Sequence, residues 1–67
     1  MTGTITKLFL DRDYGFISVR GQKQMVFFHR SRIEKLDWDQ QLLQMVVEFD
    51  VYHSPRGPAA ELVRPAR

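Results

Sequence analysis

The chain has 67 residues, too few for more than one domain, and carries ten Lys and Arg against eight Asp and Glu. A domain of this size buries only about 60% of the surface that its unfolded chain exposes, so its stability is expected to be marginal. The chain has no cysteine, which excludes disulfides and thiolate zinc sites as added support. The net charge of +2 permits a phosphate-rich partner without requiring one.

Targeting and cofactor signals are absent from the sequence. No apolar run approaches the roughly 18 residues of a spanning helix, and the first seven residues lack the charged start and apolar stretch of a signal peptide. We therefore expect a cytoplasmic protein. His29 and His53 lie far apart and have no ligand-spaced neighbours, so no metal or other cofactor is expected.

Short β-prone runs separated by turn signals predict an all-β fold. The runs cover residues 4–10, 14–19, 25–29, 45–52 and 59–63, with turns at 20–22 and 54–58. Residues 31–44 are interpreted as a long loop that contains short helical pieces. In the fourth run the alternation predicts a strand with one wet face, with Val47, Phe49 and Val51 set against Glu48, Asp50 and Tyr52. Five strands in this length suit a small barrel, which removes exposed sheet edges.

Two consecutive runs place aromatic side chains on one face. By the period-2 rule, Tyr14 and Phe16 share a face of the second run, and Phe27 and His29 share a face of the third. The opposite faces carry enough apolar side chains for a core, namely Ile17, Val19, Val26 and Phe28. The four rings therefore predict a solvent-facing surface, and such surfaces stack unpaired bases at about 1–3 kcal/mol each. Parity alone leaves open the alternative that these rings form the core.

Cations favour the solvent-facing interpretation. They fall on or near the strands and turns around the rings, at Lys7, Arg12, Lys23, Arg30 and Arg56. Basic side chains interleaved with exposed rings suit a phosphate backbone that runs past stacked bases. His29 has neither a carboxylate nor a nucleophile in motif spacing, so stacking or hydrogen bonding is favoured over acid–base chemistry. No motif supports an enzyme, and no catalytic residue is predicted.

Four segments resemble motifs of the bacterial cold-shock proteins. Tyr14-Gly15-Phe16-Ile17 is similar to the first nucleic-acid-binding motif of that family, and Val26-Phe27-Phe28-His29-Arg30-Ser31 resembles the second. Gly57-Pro58-Ala59-Ala60 matches the opening of the family's last strand, and Gly3-Thr4-Ile5 its usual start. The resemblance implies one domain over residues 1–67, a five-stranded antiparallel OB-fold barrel of the cold-shock type. It also implies binding of single-stranded RNA, with DNA as the alternative.

The predicted site combines the resemblance with the pattern of cations. The residues expected to contact nucleic acid are Lys7, Phe9, Tyr14, Phe16, Phe27, His29, Arg30, Trp38 and Arg56. Lys7 and Arg30 stand where the family usually has aromatic residues, and a guanidinium can also stack on a base or pair with a phosphate. Trp38 falls where the family keeps a stacking loop aromatic, and the alternative is a hydrophobic plug that closes the barrel. We expect weaker, more salt-dependent binding than in a typical cold-shock protein.

Two classes of function remain open at this point. The leading interpretation is an RNA chaperone or a regulator of translation or transcription, which captures unpaired bases without an ATP site. The alternative is a protein-interaction or oligomerisation module, for example in a ribosome-associated assembly. It rests on residues 36–45, a loop whose apolar side chains, if exposed, would mark a homodimer or partner contact. These side chains are Leu36, Trp38, Leu42, Leu43 and Met45.

Overall fold

Residues 1–66 are described by a computed structural model, whose regular structure consists of five strands and three short 3-10 turns. The strands are β1 (Thr2–Phe9), β2 (Tyr14–Ser18), β3 (Val26–His29), β4 (Val46–Ser54) and β5 (Gly57–Pro65). The 3-10 turns cover Leu10–Arg12, Arg30–Arg32 and Gln40–Leu42, and the second and third confirm short helical pieces in the predicted loop. Every predicted strand is present, with ends that differ by at most two residues. In this part of the chain no helix is long and apolar enough to cross a membrane.

The strands close into a barrel in the order β1-β2-β3-β5-β4, with β4 pairing back onto β1. This confirms the all-β, five-stranded barrel. The prediction that all strands are antiparallel is wrong at one seam, where β3 and β5 pair in parallel through Phe27 and Ala59. The reason is geometric, because strand directions cannot alternate all the way around a closed ring with an odd number of members.

The core is formed by the inward faces of the strands and by one loop residue. Its fully buried members are Ile5, Ile17, Val26, Phe28, Leu42, Val47, Phe49, Ala60 and Val63. Three of the four predicted core residues of β2 and β3 are among them, while Val19 is half-buried and packs against them. The alternative in which the aliphatic residues face outward is therefore wrong.

A bulge in β1 moves two side chains from the inner to the outer face. Ile5 lies opposite Ile17, but Lys7 lies opposite Phe16, so the register shifts between Ile5 and Lys7. A one-residue shift moves the side chains that follow to the other face of a strand. Ile5 is accordingly buried, whereas Lys7 and Phe9 are exposed. Without the bulge, the period-2 rule would point both side chains into the core.

The fourth strand departs from its predicted alternation after Phe49. Val47 and Phe49 are fully buried as predicted, but Val51 is 37% exposed and Tyr52 is half-buried. The register between β4 and β5 shifts at residues 48–50, which breaks the period-2 relation between residues on the two sides of the shift. The placement of Val51 on the buried face and Tyr52 on the wet face is therefore wrong.

Candidate functional site

Two rows of side chains cross the outer face of β1, β2 and β3. In one row Lys7 lies opposite Phe16, and Phe16 opposite Phe27. In the other, Phe9 lies opposite Tyr14, and Tyr14 opposite His29. Residues directly opposite each other on antiparallel strands share a face, with Cβ atoms about 4.5–5.5 Å apart. The register therefore brings six of the nine predicted contact residues onto one surface.

Four of these side chains form a packed cluster of rings, here named the aromatic platform: Phe9, Tyr14, Phe16 and Phe27. Tyr14 is its centre, with ring centroids 5.0 Å from Phe9, 5.5 Å from Phe27 and 5.9 Å from Phe16. Phe16 lies edge-on, 6.0 Å from Phe27 and 6.4 Å from Phe9. These distances lie in the favourable range for aromatic pairs, so the rings hold one another in place.

The platform is open to solvent. Tyr14, Phe16 and Phe27 are half-buried, and Phe9 is 37% exposed. Three of the rings line a surface concavity of about 440 Å³, together with His29 and Arg56. Because the core is complete without these rings, their position is not explained by the need to fill the barrel.

Gly15 allows the platform to lie directly above the core. A Cβ at this position would lie 2.6 Å from the carbonyl oxygen of Lys7 and 2.9 Å from the ring of Phe28. Any larger residue would push β1 away from β2 or displace the ring beneath. The glycine between Tyr14 and Phe16 is therefore a packing requirement for keeping these two rings side by side.

Arg56 reaches the concavity from the turn between β4 and β5. Its backbone N–H donates to Ser54 Oγ at 3.2 Å, and this hydroxyl donates to the Gly57 carbonyl oxygen at 2.7 Å. Gly57 adopts a φ of +116°, a conformation open to glycine and strained for other residues. The turn thus places a cation at the edge of the platform although Arg56 is distant from it in sequence.

Lys7 and Arg30, which stand at the two positions where aromatic residues were expected, have different surroundings. Lys7 stands at the end of a platform row, and within residues 1–66 no carboxylate lies within 4 Å of its ammonium. The guanidinium of Arg30 instead pairs with Asp13 at 3.4 Å, and the Arg30 backbone N–H donates to the Asp13 carbonyl at 2.8 Å. Of the two, Lys7 is the cation without a carboxylate partner among residues 1–66.

Trp38 is held against the barrel rather than on the platform. Its indole Nε1–H donates to the carbonyl oxygen of Leu10 at 3.1 Å. Its ring meets that of Phe28 edge-on, with centroids 6.0 Å apart, and it packs against the core. These are the contacts of a plug, and stacking of Trp38 on nucleic acid stays a prediction.

The rest of the apolar loop is mostly occupied with covering the core. Leu42 is fully buried, and Leu36 and Met45 pack against the core beside Trp38. Leu43 is the exception, with 43% of its surface exposed. The loop therefore presents one large exposed apolar side chain instead of the extended patch that a protein contact would use.

Ser31 is a contact of the site that the sequence analysis did not single out. Its backbone N–H donates to His29 Nδ1 at 3.1 Å, and its hydroxyl lies 2.9 Å from the same nitrogen. A signal was present, because serine two residues from a polar side chain often forms such a local hydrogen bond. The remaining predicted cations, Arg12 and Lys23, are exposed on the loops that flank β2.

Comparisons with known proteins agree with this architecture. The chain matches the family model of the 'Cold-shock' DNA-binding domain over residues 1–66. It is 33% identical over 60 residues to "Cold shock-like protein CspI" of Escherichia coli K12, which covers 90% of this chain and 86% of that protein. The protein of the same name from Escherichia coli O6:H1 matches with the same identity and coverage. These matches confirm the OB-fold class, and the chain belongs to the cold-shock domain family of single-stranded nucleic-acid-binding proteins.

Proposed function

We propose that the protein binds single-stranded nucleic acid, RNA in preference to DNA, by stacking unpaired bases on the aromatic platform. It acts as an RNA chaperone or as a regulator of translation or transcription in the cytoplasm. One observation carries the proposal: four rings pack together on the outer face while the core is complete without them. An open aromatic surface of this kind is suited to the flat faces of bases, which every nucleotide has.

Stacking supplies affinity without a demand for one sequence. Each stacked base contributes about 1–3 kcal/mol, so two or three bases on Tyr14, Phe16 and Phe27 give useful binding. A protein that binds only the unpaired form shifts a hairpin equilibrium by mass action. At a free concentration about 100 times its Kd the shift is about 2.7 kcal/mol. This is enough to open a weak hairpin and too little for a long duplex, which is the behaviour of a chaperone that uses no ATP.

Cations at the edge of the platform add contacts to phosphate. Lys7 ends one row of the platform and Arg56 lines the concavity at its side. Each phosphate contact to a single strand adds about 0.7 to the slope of log affinity against log salt concentration. Binding is therefore expected to weaken with added salt, while the stacking part of the affinity remains.

The test is a titration with short oligo-U and oligo-dT at two salt concentrations, followed by Trp38 fluorescence and by gel shift. Trp38 is a suitable reporter because its indole contacts the carbonyl of Leu10, the residue after platform residue Phe9. We expect a fluorescence change with both oligonucleotides and weaker binding at high salt. No change in fluorescence together with no shifted band would overturn the proposal.

A matched pair of variants separates the platform from the loop. Phe9 and Leu43 are similarly exposed, at 37% and 43%, and lie on β1 and in the loop before β4. Phe9→Ala is expected to weaken oligonucleotide binding, whereas Leu43→Ala is expected to leave it unchanged. Equal effects of both substitutions would contradict the assignment of binding to the platform.

The variant Leu43→Ala also tests the protein-interaction alternative. A homodimer through residues 36–45 is expected to use Leu43, because it is the most exposed apolar side chain of this loop. Sedimentation of the chain with and without an oligonucleotide measures its oligomeric state. A dimer that Leu43→Ala dissociates, combined with no oligonucleotide binding, would favour the alternative.

A further inference from the structure

The contacts of His29 determine which of its ring nitrogens carries the proton. Nδ1 lies 3.1 Å from the backbone nitrogen of Ser31 and 2.9 Å from the hydroxyl of the same residue. A backbone N–H can only donate, so Nδ1 must be the acceptor in this contact. The hydroxyl then also donates to Nδ1, because that nitrogen has no hydrogen to offer. The neutral imidazole therefore has its hydrogen on Nε2.

The Nε2 edge of the His29 ring points away from the Ser31 contacts at Nδ1. Nδ1 faces the 3-10 turn Arg30–Arg32, for which the His29 side chain forms the N-terminal cap. The ring is exposed, and it lines the platform concavity with Tyr14 and Arg56. Among residues 1–66 no group accepts a hydrogen bond from Nε2. The Nε2–H group is thus an unused donor at a surface where bases are proposed to stack.

We infer that Ser31 is a positioning residue, which holds His29 in the Nε2–H tautomer so that its ring offers one oriented donor to a bound nucleotide. The recognised chemistry is an acceptor atom of the nucleotide, such as a base carbonyl oxygen or an unprotonated ring nitrogen. This inference rests on the proposed function for its ligand, but the positioning itself is a property of the free protein. It distinguishes His29 from the three phenylalanine rings of the platform, which contribute stacking surface alone.

The tautomer is tested first, without nucleic acid. Long-range proton–nitrogen NMR spectra near pH 8.5, where an ordinary imidazole is neutral, distinguish the two tautomers by their nitrogen shifts. His53 is an internal reference, because it is exposed and no described residue hydrogen bonds to its ring. We expect the Nε2–H pattern for His29 and its retention in Ser31→Thr. Ser31→Ala removes the hydroxyl donor but keeps the backbone N–H, so we expect a partial shift toward a tautomer mixture in that variant. An Nδ1–H pattern in the unmodified protein would overturn the inference.

A double-mutant cycle with oligo-U as the ligand tests whether the Nε2–H group of His29 donates to a bound nucleotide. Ser31→Ala is expected to weaken binding by about two- to tenfold, the range of one net hydrogen bond. In a His29→Phe background, where the ring still stacks but has no nitrogen, Ser31→Ala is expected to change the affinity by less than about 1.5-fold. Equal weakening in both backgrounds would show that Ser31 acts on its own and would overturn the positioning role.

The two tests separate this inference from the proposed function. If oligo-U does not bind to the unmodified protein, the proposed function fails, and the NMR pattern still decides whether Ser31 orients the imidazole. If oligo-U binds and His29→Phe binds as tightly as the unmodified protein, the platform proposal survives. In that case the donor role of His29 is refuted.

Discussion

Phe27 and Phe28 are neighbours in one strand, yet they belong to different parts of the molecule. Phe28 is fully buried under β1 and β2, whereas Phe27 is half-buried on the outer face with the other platform rings. Both residues have the same side chain and differ only in the direction in which the pleated backbone points it. The comparison shows that hydrophobicity alone does not assign a ring to the core or to a binding surface.

The difference lies in what each face has to pack against. The inner face of β3 meets the rest of the core, so Phe28 is enclosed on all sides. The outer face of the same strand lies beside β2 on one side and Ala59 of β5 on the other, and its rings line an open concavity. The platform is thus built from residues that the barrel holds in place but does not need to bury.

Phe28→Ala is expected to lower the free energy of unfolding by about 3–5 kcal/mol, because it leaves a cavity in a close-packed core. For so small a domain this is a large part of the total stability. The measurement is urea unfolding followed by circular dichroism. A stable Phe28→Ala variant that merely binds oligonucleotide less tightly would contradict the assignment of this ring to the core.

Phe27→Ala is expected to reduce oligonucleotide affinity more than it reduces stability, the reverse of Phe28→Ala. Loss of one stacking ring should weaken oligo-U binding by about 1–3 kcal/mol, with a smaller loss of stability because the ring is already partly in water. Fluorescence titration gives the affinity, and urea unfolding of the same variant gives the stability. If Phe27→Ala unfolds the chain instead, this ring is a core residue and the two faces have been assigned wrongly.

Trp38→Phe tests whether the loop aromatic belongs to the core or to the platform. The substitution keeps a ring against Phe28 but removes the hydrogen bond to the Leu10 carbonyl. If Trp38 is a plug, Trp38→Phe should lower the free energy of unfolding by about 1 kcal/mol. Its affinity for oligonucleotide, measured by gel shift, should change little. A loss of affinity with unchanged stability would assign Trp38 to the binding surface.

Lys7→Gln and Arg30→Gln form a matched pair for the cations. Lys7 has no carboxylate partner among residues 1–66, whereas Arg30 is paired with Asp13. Lys7→Gln is expected to reduce the salt slope of oligo-U binding by about 0.7, and Arg30→Gln to reduce it by less. The slopes are measured by titration over a series of salt concentrations. A larger change for Arg30→Gln would show that its ion pair opens to meet phosphate.

Much of this surface could be predicted because period-2 alternation is a local property. The parities of Tyr14 and Phe16, and of Phe27 and His29, follow from chain positions within one strand, and the structure confirms that they share a face. The position of Arg56 beside them depends on how β5 closes the barrel, and the sequence indicated it only as one of several cations on turns near the rings. The family resemblance supplied the OB-fold class.

The parts that were predicted wrongly depend on contacts between strands. The altered burial of Val51 follows from a register shift between β4 and β5. The bulge in β1 was likewise not predicted, although Lys7 and Phe9, which it turns outward, were expected on the binding surface. Such shifts depend on how two strands pair, so the residues of one strand do not predict them. The parallel seam between β3 and β5 arises in the same way from closure of the ring.

The amino-acid sequence by itself determined the strands, the turns and the alternation that separates the core from the platform in β2 and β3. Only the tertiary structure shows that Arg30 is paired with a carboxylate, where the indole of Trp38 is anchored, and that Nδ1 of His29 faces Ser31. The physical reason is distance along the chain. Alternation acts between nearest neighbours, whereas the ion pair of Arg30 and the hydrogen bond of Trp38 join residues that only the folded barrel brings together.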